Sequence, residues 1–193
     1  DALVQNVRSQ YGLELYTSRV MSNLIPTPAE AQTIDAIEPV SFVGYPNGVW
    51  DSKNLLPIVR QGTTASPMEV DFDGTPCFLI DASVFGGSSG SPVFVFNQGS
   101  YAYKGGGTVV GSRLHFVGVI ARVFYRTDHN RIVAVPIPTH TQPMAEQTQM
   151  IDLGVVFKAR TVVETVEAFL RTRGVVVPSS ESDAHSTGST QIA

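Results

Sequence analysis

A single cysteine, Cys77, stands in the 193 residues, which excludes an internal disulfide and any zinc or cluster site built from several cysteines. There is no stretch of 18 apolar residues, and no basic segment at the start leads into an apolar run. Neither a spanning helix nor a signal peptide is therefore visible, which leaves the location open and favours the cytoplasm. Positive charge is scarce: 13 Lys and Arg face 17 Asp and Glu, for a net charge of −4, and the basic residues form no runs. Nucleic acid and membrane are accordingly not expected as partners. No pair of His or Cys has metal-ligand spacing, so no metal is expected. Asp71-Phe72-Asp73-Gly74 looks like half a calcium loop but lacks the remaining ligands and the closing Glu. Lys104 before three glycines lacks the spacing of a phosphate loop, and no cofactor is implied.

What the chain does have is enough apolar residue, 42%, to bury a core without staples. Short runs rich in Val, Ile, Phe and Thr alternate with Gly and Pro turns, the pattern of an all-β body. Six strands are expected, at residues 40–45, 55–63, 77–80, 91–96, 114–123 and 132–137. They would close into one small antiparallel barrel without exposed edges. Thr27-Pro28-Ala29-Glu30 is a capping box that starts a short helix from Pro28 to about Ala36. Thr161-Val162-Val163-Glu164 repeats the device ahead of Val162, Val166, Phe169 and Leu170 at helical spacing, with Gly174 as a stop. Leu3, Val7 and Tyr11 with Gly12 suggest a short helix or linker. The chain is thus divided into a linker with short helices (1–37), a barrel (38–142), a connection and C-terminal helix (143–177), and a Ser- and Thr-rich disordered tail (178–193).

The segment Gly87-Ser88-Ser89-Gly90-Ser91-Pro92, between two apolar strands, has the form G-x-S-G-x-P. Glycine- and serine-rich segments between strands are commonly plain turns. This one has what a nucleophile needs: glycines on both sides allow a tight turn in which the amides of the 87–89 stretch converge on an oxyanion beside Ser89. Residues Gly87, Ser88 and Ser89 are the candidate oxyanion hole.

The run from Ile80 to Pro92 resembles the nucleophile motif of trypsin-like serine peptidases, and is most similar to the bacterial branch that includes the high-temperature-requirement proteases. Val40-Ser41-Phe42-Val43-Gly44-Tyr45-Pro46 with Ile58-Val59-Arg60-Gln61-Gly62-Thr63 looks like the first hairpin of the C-terminal barrel in those enzymes. Residues 114–121 look like the strand that lines the specificity pocket and pairs with the substrate backbone. The resemblance covers residues 40–139. It implies the second barrel of a two-barrel fold, a peptide or protein substrate, Ser89 as nucleophile, and Ser83, Val84 and Ala121 at the substrate. Position 88, an Asp in enzymes activated by cleavage, is Ser88, so that mode of activation is not implied. The pocket floor, six residues before the nucleophile, is Ser83 rather than an acid, which points to small or apolar side chains rather than basic ones.

A serine hydroxyl needs a base to take its proton. All four histidines, His115, His129, His140 and His185, follow Ser89. In the chymotrypsin-type triad the His and Asp lie roughly 140 and 90 residues upstream of the serine, and 88 residues precede Ser89 here. The expectation is a C-terminal portion that carries nucleophile, oxyanion hole and pocket, is inactive alone, and works with an upstream N-terminal barrel. His115 reads as a strand residue, His129 as a solvated turn, His140 as a strand end and His185 as tail. Asp1 is a weak match to the aspartate segment. Cys77 reads as a small packing residue, and no spacing supports a Ser-Lys dyad with Lys53, Lys104 or Lys158. The rival reading is a non-catalytic barrel that serves as a binding or structural module.

Overall fold

The computed structural model describes residues 2–12, 19–102, 104–131 and 144–176. Helix α1 (Ala2–Tyr11) leads to α2 (Pro28–Thr33). Thr27 accepts from the Glu30 N–H while the Glu30 carboxylate accepts from the Thr27 N–H, so the capping box forms. Eight strands follow: β1 (Pro39–Gly44), β2 (Ile58–Thr64), β3 (Cys77–Asp81), β4 (Pro92–Asn97), β5 (Ser100–Ala102), β6 (Thr108–Val110), β7 (Arg113–Arg131) and β8 (Met144–Lys158). Helix α3 (Ala159–Thr172) comes last.

Six of these strands form one closed antiparallel barrel in the order β1-β2-β3-β8-β7-β4, with β4 returning to β1. The all-β barrel with a C-terminal helix is therefore as the sequence indicates. Alternation drives it. Val40 and Phe42 of β1 and Val93 and Val95 of β4 point inward and are buried, while their neighbours face outward, the period-2 pattern of a sheet with one wet face. Strand β3 departs from alternation because it is covered twice: Phe78 and Ile80 enter the barrel core, and Cys77 and Leu79 pack outside with Val155, Phe72 and Phe124.

Several expectations are corrected. The strand placed at 132–137 lies outside the described residues, and β8 takes the sixth position, in the stretch read as a connection after residue 142. Its second half, Leu153–Phe157, pairs with β3, and that pairing is invisible to local pattern. The β5–β6 hairpin was not anticipated around the glycine loop. Helix α3 starts at Ala159 directly from β8, with Lys158 as N-cap and no side-chain cap. Thr161 thus sits inside the helix, its hydroxyl buried without a partner. Helix α2 ends at Thr33 rather than near Ala36. The tail at 178–193 lies outside the described residues.

Candidate functional site

Ser89 lies in the connection from β3 to β4. Short backbone bonds shape this segment: the Ser88 N–H donates to the Phe85 carbonyl at 3.1 Å and the Ser91 N–H to the Ser88 carbonyl at 3.0 Å. Further bonds moor it, from the Gly90 N–H to the Ile120 carbonyl and from the Asn47 N–H to the Gly86 carbonyl, both at 2.7 Å, and from the Ile120 N–H to the Ser91 carbonyl at 3.0 Å. Gly87 has φ +84°, and a Cβ there would stand 2.7 Å from the Tyr45 carbonyl oxygen. The position thus demands glycine twice over, by conformation and by space. Gly44, at the end of β1, admits Ser91 in the same way: a Cβ on it would collide with Ser91 Oγ.

Of the three residues read as an oxyanion hole, Ser88 has its amide engaged with Phe85. The amides of Gly87 and Ser89 donate no hydrogen bond among the described residues, which leaves them as the donors available to an incoming anion. The Ser89 side chain is exposed, and its Oγ donates to the Ala121 carbonyl at 3.3 Å. Ser88 is buried, 2% exposed, and accepts a hydrogen bond from Arg60 Nη1 at 3.4 Å.

A cavity of about 180 Å³ opens beside Ser89. Val84 and Ala121 line it together with Phe85, Ile120, Val123 and Tyr125. Ser83, exposed on the same connection, is not in its wall. The walls are polar and apolar in about equal share, and Arg122 is the charged residue among them. A larger cavity, about 290 Å³, lies between α2, Met68 and the start of α3. It contains none of the site residues nominated from sequence, and its cations Lys158 and Arg160 are both already bound to Asp71, Lys158 also to the Val70 carbonyl.

His115, the histidine whose side chain is among those described, does not serve Ser89. His115 is in β7 opposite Val95, six residues before Ala121, roughly 20 Å along the strand. Burial pushes its imidazole below the ordinary value against the nearby Glu30 carboxylate. His129 stands in β7 opposite Glu146, a strand position where a turn was expected. His140 and His185, like Asp1, lie outside the described residues. Cys77 is buried, and desolvation pushes its thiol up, away from the nucleophilic thiolate. Asp71 of the supposed half calcium loop is engaged by Lys158 and Arg160, and no group of acidic, His or Cys residues among those described could hold a metal.

No family model, no curated protein and no solved structure matches this chain. The residue that sequence reasoning missed is Arg60, which the β1–β2 register sets opposite Phe42 and which reaches the Ser89 turn from below. No local motif signals it.

Proposed function

We propose that this chain is the nucleophile-bearing barrel of a trypsin-like serine peptidase, cleaving peptide or protein substrates through an acyl-enzyme on Ser89. The observation that carries the reading is the coincidence at one turn of an exposed serine, two amides at Gly87 and Ser89 unengaged among the described residues, and a cavity walled in part by Val84 and Ala121. The tetrahedral oxyanion formed when Ser89 Oγ attacks a carbonyl would be met by those two N–H groups. Val84 and Ala121 in the wall, with no carboxylate among the lining residues, fit a small or apolar side chain of the substrate residue being cleaved rather than a basic one. The base that deprotonates Ser89 comes, in this proposal, from an upstream segment, since His115, the described histidine side chain, stands well along β7 from it.

The lack of a histidine beside Ser89 among the described side chains favours one second reading, a non-catalytic barrel whose turn and cavity bind peptides without cleaving them. A fluorophosphonate probe separates the two. The 193-residue chain is expected to label no faster than its Ser89→Ala variant. The chain produced with its natural upstream coding sequence is expected to label stoichiometrically at Ser89. Absence of labelling in that longer chain would leave the binding module as the reading.

A further inference from the structure

The Ser89 turn is an unusual thing to hold still. Residues 82–91 lie outside the strand ladders, and Gly86, Gly87 and Gly90 raise the entropy lost on ordering them. Among the described residues, the one side-chain to side-chain hydrogen bond that reaches the turn comes from Arg60 on β2. Its guanidinium carbon stands 5.0 Å from the ring centroid of Phe42 and 5.0 Å from that of Phe85, inside the distance for cation–π attraction. Phe85 and Ser88 are the two ends of the short loop closed by the Ser88 N–H to Phe85 carbonyl bond. Arg60 therefore touches both ends at once, one through a ring and the other through a hydroxyl.

Arg60 is also free of competing duties. No carboxylate lies within ion-pair distance of it among the described residues. Burial pushes the guanidinium down from its ordinary value, with only the more distant Asp152 charge opposing. A half-buried cation without an ion-pair partner is costly unless its environment is fixed. Here the rings and the Ser88 hydroxyl form that environment.

We propose that Arg60 is a positioning residue for the Ser89 turn: it clamps Phe85 and Ser88 from beneath and so holds the Gly87 and Ser89 amides in the shape that leaves them unengaged. The clamp is a property of the barrel as described, and its use in stabilising an oxyanion rests on the peptidase reading. Arg60 touches no reacting atom and acts through Ser88. The bond to Ser88 is long, so the ring contact with Phe85 shares the work. Lysine keeps a donor and a charge but lacks the planar face that lies over a ring.

The test is a double-mutant cycle read by amide hydrogen exchange on the 193-residue chain. Arg60→Met is expected to speed exchange of the Ser88, Gly90 and Ser91 amides about tenfold relative to Val93 and Val95 in β4. Ser88→Ala, which leaves the Phe85 contact in place, is expected to speed them less, and the double variant no more than Arg60→Met alone. Arg60→Lys is expected to restore part of the protection. Unchanged turn amides in Arg60→Met overturn the proposal. So do additive effects, or an equal acceleration at Val95, which would mean that Arg60 only supports the barrel. In the longer chain, where wild type labels at Ser89, Arg60→Met should lower the maximal labelling rate about tenfold and leave the probe concentration at half-maximal rate unchanged. If wild type itself does not label, the peptidase reading falls, and the exchange cycle still decides Arg60.

Discussion

At the scale of single residues, the turn around Ser89 was legible because backbone geometry forces residue identity. A left-handed φ against a neighbouring carbonyl admits glycine alone, so G-x-S-G-x-P in the sequence already describes the bend at Gly87. Gly87→Val should therefore damage the turn more than the barrel. In a chain competent for labelling, Ser89 reactivity is expected to fall ~100-fold to 1000-fold as one oxyanion donor is misplaced, while circular dichroism of the sheet stays near wild type. Arg60 was not legible, because its partners Phe42, Phe85 and Ser88 are gathered by register rather than by sequence proximity. His115 illustrates a third case, a strand residue whose environment sets its charge. Its Nδ1 is buried without a partner, and burial holds the folded imidazole below its ordinary value of 6.5. Below that pH the unfolded chain takes up the proton more readily than the folded one, so His115 withdraws stability as pH falls. The urea midpoint of His115→Gln should thus decline less than that of wild type between pH 7 and pH 5, and parallel declines would contradict this.

At the scale of elements, the strands with strict alternation were legible and those defined by long-range pairing were not. Strand β8 begins with the polar run Met144-Ala145-Glu146-Gln147-Thr148, which carries no strand signature by itself. Pairing with β7 along that run makes it a strand. The capping box at Thr27 formed, while its counterpart at Thr161 did not, since the β8–α3 junction is fixed by a stronger device. Lys158, 7% exposed, ends β8 with its Nζ 2.6 Å from Asp71 Oδ1 and 2.9 Å from the Val70 carbonyl. Arg160 in the first turn of α3 grips both Asp71 oxygens at 2.6 Å. These cations, with the Lys158 hydrogen bond foremost, hold the Asp71 carboxyl below its ordinary value of 3.8. The ionised pair stabilises the fold above that pH, and the contribution fades as pH falls through the lowered value. Asp71→Asn should therefore lower the urea midpoint at pH 7, because it strands a buried ammonium. The gap to wild type should shrink below pH 3.8 as the wild-type carboxyl protonates.

At the scale of the whole molecule, the closed barrel followed from composition and spacing: many short apolar strands, few charges and frequent turns leave closure as the way to remove sheet edges. Its core is carried by a few large side chains. Phe78, fully buried at 0% exposure, packs in the same cluster as Val40, Ile80, Val93 and Val156. Phe78→Ala is expected to cost about 3–5 kcal/mol in urea unfolding. Val110→Ala, at a residue 89% exposed on the β5–β6 hairpin, should stay within about 0.5 kcal/mol of wild type. Near-equal effects at the two positions would mean that the core is not where the barrel places it.

The strand order has a consequence for the order of synthesis. Of the described strands β8 is the last to leave the ribosome, yet it alone bridges β3 and β7. Until its final residues emerge, β1, β2, β3, β4 and β7 can assemble only an open sheet, with β3 and β7 offering bare edges to any passing strand. Cys77 waits for Phe157, and Asp81 for Leu153. Loop closure across that span is slow, so the newborn chain passes through an interval in which self-association competes with completion. A chain stopped at Gln142 is expected to be protease-sensitive and aggregation-prone, whereas one carried through Arg173 resists digestion. Resistance in the shorter chain would show that the first five barrel strands hold together without their closing member.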